Sequence, residues 1–110
     1  NIMGLDQYAF AIKDDERVEL AYWRKHANLQ GWMEELYHAR GGTEEFNCIP
    51  VALDNDDLDR LEKEHANLET ATGFFWGASR PWDVEATADF ISKAREYIKK
   101  GYTVEYDSWW

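Results

Sequence analysis

Lys25, Asn28 and Trp32 place a cation, an amide and an indole within a few positions of one another. An ammonium beside an aromatic face, with a carboxamide to hydrogen-bond, suits an anionic or nucleobase-like ligand. The surrounding stretch, YWRKHANLQGW from Tyr22 to Trp32, adds Trp23, Arg24 and His26 in a chain whose net charge is −10. The second concentration of chemistry is acidic. Asp54, Asp56, Asp57, Asp59 and Glu62 crowd one segment, and residues 43–69 hold nine acids against two bases. Such a field disfavours direct docking on nucleic acid, because phosphate contacts need cations. It favours a basic groove on a protein. The same acids also suit the solvated face of a helix.

Signatures of catalysis are missing from the sequence. No GxGxxG, Walker loop or G-x-S-x-G occurs, so neither a phosphate cradle nor a nucleophile elbow is signalled. Cys48 is the chain's one cysteine, which excludes an internal disulfide. His26 and His38 stand twelve positions apart and do not share a helical face. Asp54-Asn55-Asp56-Asp57 lacks the glycine and closing glutamate of a calcium loop. No catalytic residue, metal or cofactor is therefore expected. Cys48 lies in an apolar run and reads as a buried structural thiol, in keeping with a reducing compartment.

The elements that must position these residues follow from periodicity. Tyr8, Phe10 and Ile12 alternate with smaller or polar residues, which predicts a strand over Asp6 to Lys13. A helix is predicted from about Glu19 to Arg40, with Tyr22, Leu29, Met33 and Leu36 on its inner stripe and Gly41-Gly42 at its end. That helix puts Trp23 and Arg24 outward and Lys25, Asn28 and Trp32 at the rim of the core. A cation there needs a partner. Asp107 or Asp6 would tie the helix to the sheet. Alternatively Arg24, Lys25, Asn28 and Asp107, walled by Trp32, Trp76 and Trp109, would form a ligand pocket.

Phe46 to Leu53 predicts a second strand, at an edge or bulged because of Pro50. Asp54 opens a second helix, with Leu58, Leu61, His65 and Leu68 inward and His65 a packing residue. Gly73 to Gly77 encloses an aromatic run that suits a short strand. Pro81 or Asp83 starts a third helix that runs through Lys100, and Tyr102 to Trp110 predicts a last strand. Trp109 and Trp110 either pack back on the domain or anchor a partner, including a second copy of the chain. The order β-α-β-α-β-α-β predicts an α+β fold: a four-stranded mixed sheet packed by three helices. Asn1-Ile2 reads as a vector remnant and residues 3–110 as one domain. The apolar runs are far short of the ~20 residues that span a membrane, and no apolar stretch follows a basic start.

Several of these segments together resemble a family of small phage and prophage proteins. They are Met3-Gly4-Leu5-Asp6 before an aromatic strand, Tyr22-Trp23-Arg24-Lys25, Phe46-Asn47-Cys48-Ile49-Pro50-Val51, the acidic Leu/Glu-rich helix, the Gly-Phe-Phe-Trp-Gly run, and Tyr106-Asp107-Ser108-Trp109-Trp110. The resemblance runs end to end. It implies work in the cytoplasm of an infected bacterium. It also implies an inhibitor that blocks a nucleic-acid-handling host or defence complex, with the acids of Asp54 to Glu62 in a basic groove. The alternative expectation is a protein that sequesters a nucleotide-like ligand in the Lys/Asn/Trp pocket.

Overall fold

A computed structural model describes residues 4–65 and 81–110. Its architecture is decided at the first turn. Asp14 adopts φ +53, a left-handed conformation that Asp tolerates, and Lys13 pairs with Glu16 across it. A two-residue hairpin thus joins β1 (Asp6–Lys13) to β2 (Glu16–Arg24). The chain continues through α1 (Ala27–Ala39), β3 (Val51–Leu53), α2 (Asn55–Glu64), α3 (Pro81–Lys99) and β4 (Thr103–Trp109). The strands form one sheet in the order β2-β1-β4-β3. This is the expected α+β fold of four strands and three helices. Its three pairings are all antiparallel, where parallel pairs were also expected. A tight turn joins β1 to β2, and both α2 and α3 stand between β3 and β4 in the chain, so neither connection is the single-helix crossover that makes a parallel pair.

The long first helix is corrected at its start. Tyr22, Trp23 and Arg24 lie on β2, and α1 begins only at Ala27. A bulge disguised the strand. Glu19 pairs with Phe10 and Ala21 with Ala9, which leaves Leu20 as an extra residue. Val18, Leu20, Ala21 and Trp23 consequently all lean toward the core, and that uneven spacing breaks the period of two by which a strand is read. Two burial expectations reverse as a result. Trp23 is 2% exposed and Tyr22 is 46% exposed. Lys25 ends the strand at φ +70, and its N–H donates to the Leu5 carbonyl at 2.9 Å.

The helices pack on one face of the sheet. Ala9 and Ala11 keep the middle of that face low, which leaves room for the large rings beside them. Trp23 meets Phe90 edge-on at 5.3 Å and Tyr106 at 6.2 Å. Leu29 and Met33 of α1, Leu58 and Leu61 of α2, and Ile91 and Ala94 of α3 complete the buried layer. No helix among the described residues is long and apolar enough to cross a membrane.

The predicted strand from Phe46 shortens to Val51–Leu53. Asn47 and Cys48 do other work. The Asn47 carboxamide brackets the Trp110 backbone: its Nδ2 donates to the carbonyl at 2.9 Å, and its Oδ1 accepts from the N–H at 3.1 Å. Cys48 turns at φ +61 and donates its N–H to the Ser108 carbonyl. Its thiol is exposed, not buried as expected, because that left-handed turn carries it out of any strand. Trp110 packs back, its indole N–H donating to the Phe46 carbonyl at 2.9 Å. Only Trp109 of the terminal pair projects, 62% exposed. The strand expected at Gly73 to Gly77, with Trp76, and Leu68 of the α2 stripe lie outside the described residues.

Gln7 locks the two layers together. It is fully buried on the inner face of β1. Its Nε2 donates to the His26 carbonyl at 3.0 Å and its Oε1 accepts from the His26 N–H at 2.7 Å. The same Nε2 donates to the Tyr106 hydroxyl at 2.9 Å, which in turn donates to Gln30 Oε1 of α1. Replacement of Gln7 by Leu leaves the buried His26 N–H without its acceptor, while the His26 carbonyl keeps the Gln30 N–H at 3.1 Å, and an unmet buried group costs about 1–3 kcal/mol. Gln7→Leu should therefore lower unfolding stability by about 1–3 kcal/mol, measured by urea denaturation.

Candidate functional site

Asp54, Asp56, Asp59 and Glu62 are exposed and Asp57 is buried, and most of them already have internal duties. Asp54 caps α2, accepting from the Asp57 N–H at 2.9 Å, and the Asp57 carboxylate returns to the Asp54 N–H at 3.0 Å. This reciprocal box satisfies N–H groups that open every helix. The Asp57 N–H holds the Asp54 carboxyl below its usual range. Asp57 also receives the Arg40 guanidinium at 2.5 Å, and Arg40 reaches the Ala52 carbonyl at 2.6 Å. Arg95 of α3 grips Asp59 at 2.6 Å and Glu62 at 3.0 Å, and depresses the Glu62 carboxyl. Asp56, in the first turn of α2, has none of these roles.

The Lys25, Asn28 and Trp32 constellation is not assembled. Trp32 is buried between α1 and α2: its indole N–H donates to Glu64 at 2.7 Å, and Arg60 lies over its ring at 4.8 Å. Asn28 stands in the first turn of α1. Lys25 pairs with neither Asp107 nor Asp6. Asp6 instead accepts from the Tyr22 hydroxyl at 2.7 Å. Arg24, Asp107 and Trp109 lie on strands whose side chains at these positions point to the other face of the sheet. Trp76 is outside the described residues.

That other face is where exposed chemistry gathers. Because side chains alternate along a strand, Asp6, Tyr8, Phe10 and Ile12 point away from the helices. Register places Arg24 and Trp109 on either side of Asp6, Tyr22 and Asp107 on either side of Tyr8, and Glu19 and Glu105 on either side of Phe10. Tyr8 stacks with Phe10 at 6.0 Å and leans on Tyr22 at 5.2 Å. The Arg17 guanidinium sits 3.8 Å over the Phe10 ring. Between β1, β4 and the Cys48 turn lies a depression of about 220 Å³, lined by Tyr8, Phe10, Arg17, Cys48, Asp107 and Trp109. Partial burial raises the Asp107 carboxyl above its usual range, against the Ser108 N–H and Arg17.

Tyr8, Phe10 and Tyr22 were missed as surface residues. Their alternation was visible in the sequence, but the period of two does not say which face is covered. The small opposing pair, Ala9 and Ala11, was the available signal. Small residues mark where bulky neighbours must fit.

A second polar cluster is sealed inside. His26, at the start of α1, is 2% exposed, with Nδ1 4.0 Å from the Asp83 carboxylate. Burial lowers its pKa to about 4, against the pull of Asp83 and with a small push from His65. His26 is thus a neutral packing group at pH 7. His65, expected in such a role, caps α2 and is half-buried. Among the described residues no group of His, Cys, Asp and Glu could hold a metal ion. Comparison of the chain with family models, curated proteins and solved structures finds no match.

Two outcomes follow. Asp57→Ala breaks the capping box and leaves Arg40 without its carboxylate, and should cost about 2 kcal/mol or more in urea unfolding. For His26, the unfolded chain takes up its proton near the ordinary 6.5 and the folded chain only near 4. Between those values the unfolded state binds more protons, so stability is full above pH 6.5 and falls by about 3 kcal/mol as pH drops to 4. Unfolding midpoints measured from pH 7 to 4 should show that loss, and His26→Asn should flatten it.

Proposed function

We propose that this protein acts by binding a basic protein surface, and that the open face of its sheet is the contact. The observation that carries this reading is the position of Tyr22 and Trp109. They are the exposed large apolar side chains among the described residues, and both lie on that face. Exposed aromatics on a rigid element are typical anchors of protein interfaces. Asp6, Glu19, Glu105 and Asp107 surround them, against Arg17 and Arg24. The face is therefore net acidic and complements a partner that brings cations. The acids of α2, with Asp56 foremost, add a long-range field that speeds encounter with such a partner.

In the phage setting that the sequence resemblance implies, the partner is a nucleic-acid-handling host or defence complex. Proteins of that class carry the basic grooves that this face fits. The nucleotide-sequestering alternative has less support, because Trp32 and Asn28 are separated by the sheet from Asp107 and Trp109.

The test compares captured proteins, not capture alone. Tagged wild type, a Tyr22→Ala/Trp109→Ala variant and Asp56→Lys are each exposed to bacterial host lysate at low and high salt, with folding checked by thermal unfolding. The open-face variant should lose a set of basic proteins that wild type retains. Asp56→Lys should keep that set with slower association. An identical set captured by the open-face variant would reject this face as the contact.

A further inference from the structure

We infer that the depression beside Asp107 is a receptor for a guanidinium group, the head of an arginine side chain supplied by the partner. This rests on the binding reading above and names its anchor. The geometry is that of a half-open aromatic cage. Asp107 lies directly across from Tyr8 in the β1–β4 register, and Trp109 stands one pleat further along on the same face. An anionic group is thus set among aromatic rings, in an open hollow of about 220 Å³ that has room for the end of an arginine side chain.

The chemistry selects a flat cation. A guanidinium stacks on aromatic faces and offers paired N–H donors to a carboxylate, which an ammonium does not do in the same plane. The surface already demonstrates the first half of this recognition. Arg17 stacks its own guanidinium on Phe10 at 3.8 Å. Arg17 takes the Phe10 ring and, lining the same hollow, also attracts the Asp107 carboxylate, so a visitor shares that anion with it and stacks on Tyr8 or Trp109.

The receptor is also built rather than incidental. Asn47 brackets the Trp110 backbone through two hydrogen bonds, and Cys48 donates to the Ser108 carbonyl. The Ser108 N–H holds one Asp107 oxygen at 2.8 Å. The end of β4, and with it Asp107 and Trp109, is therefore pinned from two sides.

Cys48 provides the probe. It is the chain's single cysteine, it is exposed, and it lines the hollow. Its rate of modification by a neutral methanethiosulfonate is measured with added N-acetyl-arginine amide, N-acetyl-lysine amide or matched sodium chloride. The arginine amide should slow the reaction several-fold in the millimolar range that one side-chain head can reach, and more than the lysine amide does. Asp107→Asn and Trp109→Ala should each remove the protection, while Asp56→Asn on the far side of the molecule keeps it. No protection in wild type, or protection that survives both Asp107→Asn and Trp109→Ala, overturns the inference. Equal protection by lysine overturns the guanidinium assignment. Absent protection with intact partner capture removes the anchor and leaves the binding face standing. Protection retained while capture is lost supports the receptor and rejects only the partner reading.

Discussion

The carboxamide of Gln7 is the point on which the two layers meet. A β-sheet and a helix ordinarily join through apolar contact, which has no preferred direction. Here a buried side chain mimics a peptide group and hydrogen-bonds both backbone groups of His26, where α1 begins. Tyr106 extends the link to Gln30 and to β4. The direction of these bonds fixes where α1 starts and how it crosses the central strands. Asn47 repeats the device at the other end of β4. Both clamps are neutral. In a chain of net charge −10, a neutral clamp holds without adding to self-repulsion.

The charged residues divide by layer. On α2 they cap the helix, hold Arg40 and Arg95, and so stabilise the element that bears them. On the open face they stand among aromatic rings and have fewer internal partners. A dense acidic run in a sequence therefore points first to helix architecture. Glu105 and Asp107 on β4, and Asp6 on β1, instead share the sheet face away from the helices, because alternation along a strand sets residues two apart on one side.

Much of the fold was legible in the sequence. The alternation at Tyr8, Phe10 and Ile12, the acidic start of α2, the inner stripe of α3 and the alternation of β4 each reported a true element. What stayed hidden had physical causes. The extra residue at Leu20 breaks the strand period, so β2 carries no clean alternation. The left-handed turn at Cys48 hid inside an apolar run. The candidate site was less legible than the fold, because the sequence sets Arg24, Asp107 and Trp109 in one group with Trp32 and Asn28, from which the sheet separates them. Only the register shows which side of the sheet each occupies. Gln7, a polar residue facing inward, gave no sign of its burial, since its partners are backbone groups and a tyrosine 99 positions away.

The bulge at Leu20 has a consequence for how this chain tolerates change. Tyr22 and Trp23 are adjacent, yet one serves the surface and the other the core. Their assignment depends on counting residues from the hairpin, and the bulge is the step that sets the count. Loss or gain of one residue between Asp15 and Tyr22 would turn the strand over and exchange the two rings. The indole would then face water and the phenol would enter the apolar layer. Surface and core are in this way written in the same reading phase of one strand, so that length, more than composition, is what this hairpin must keep.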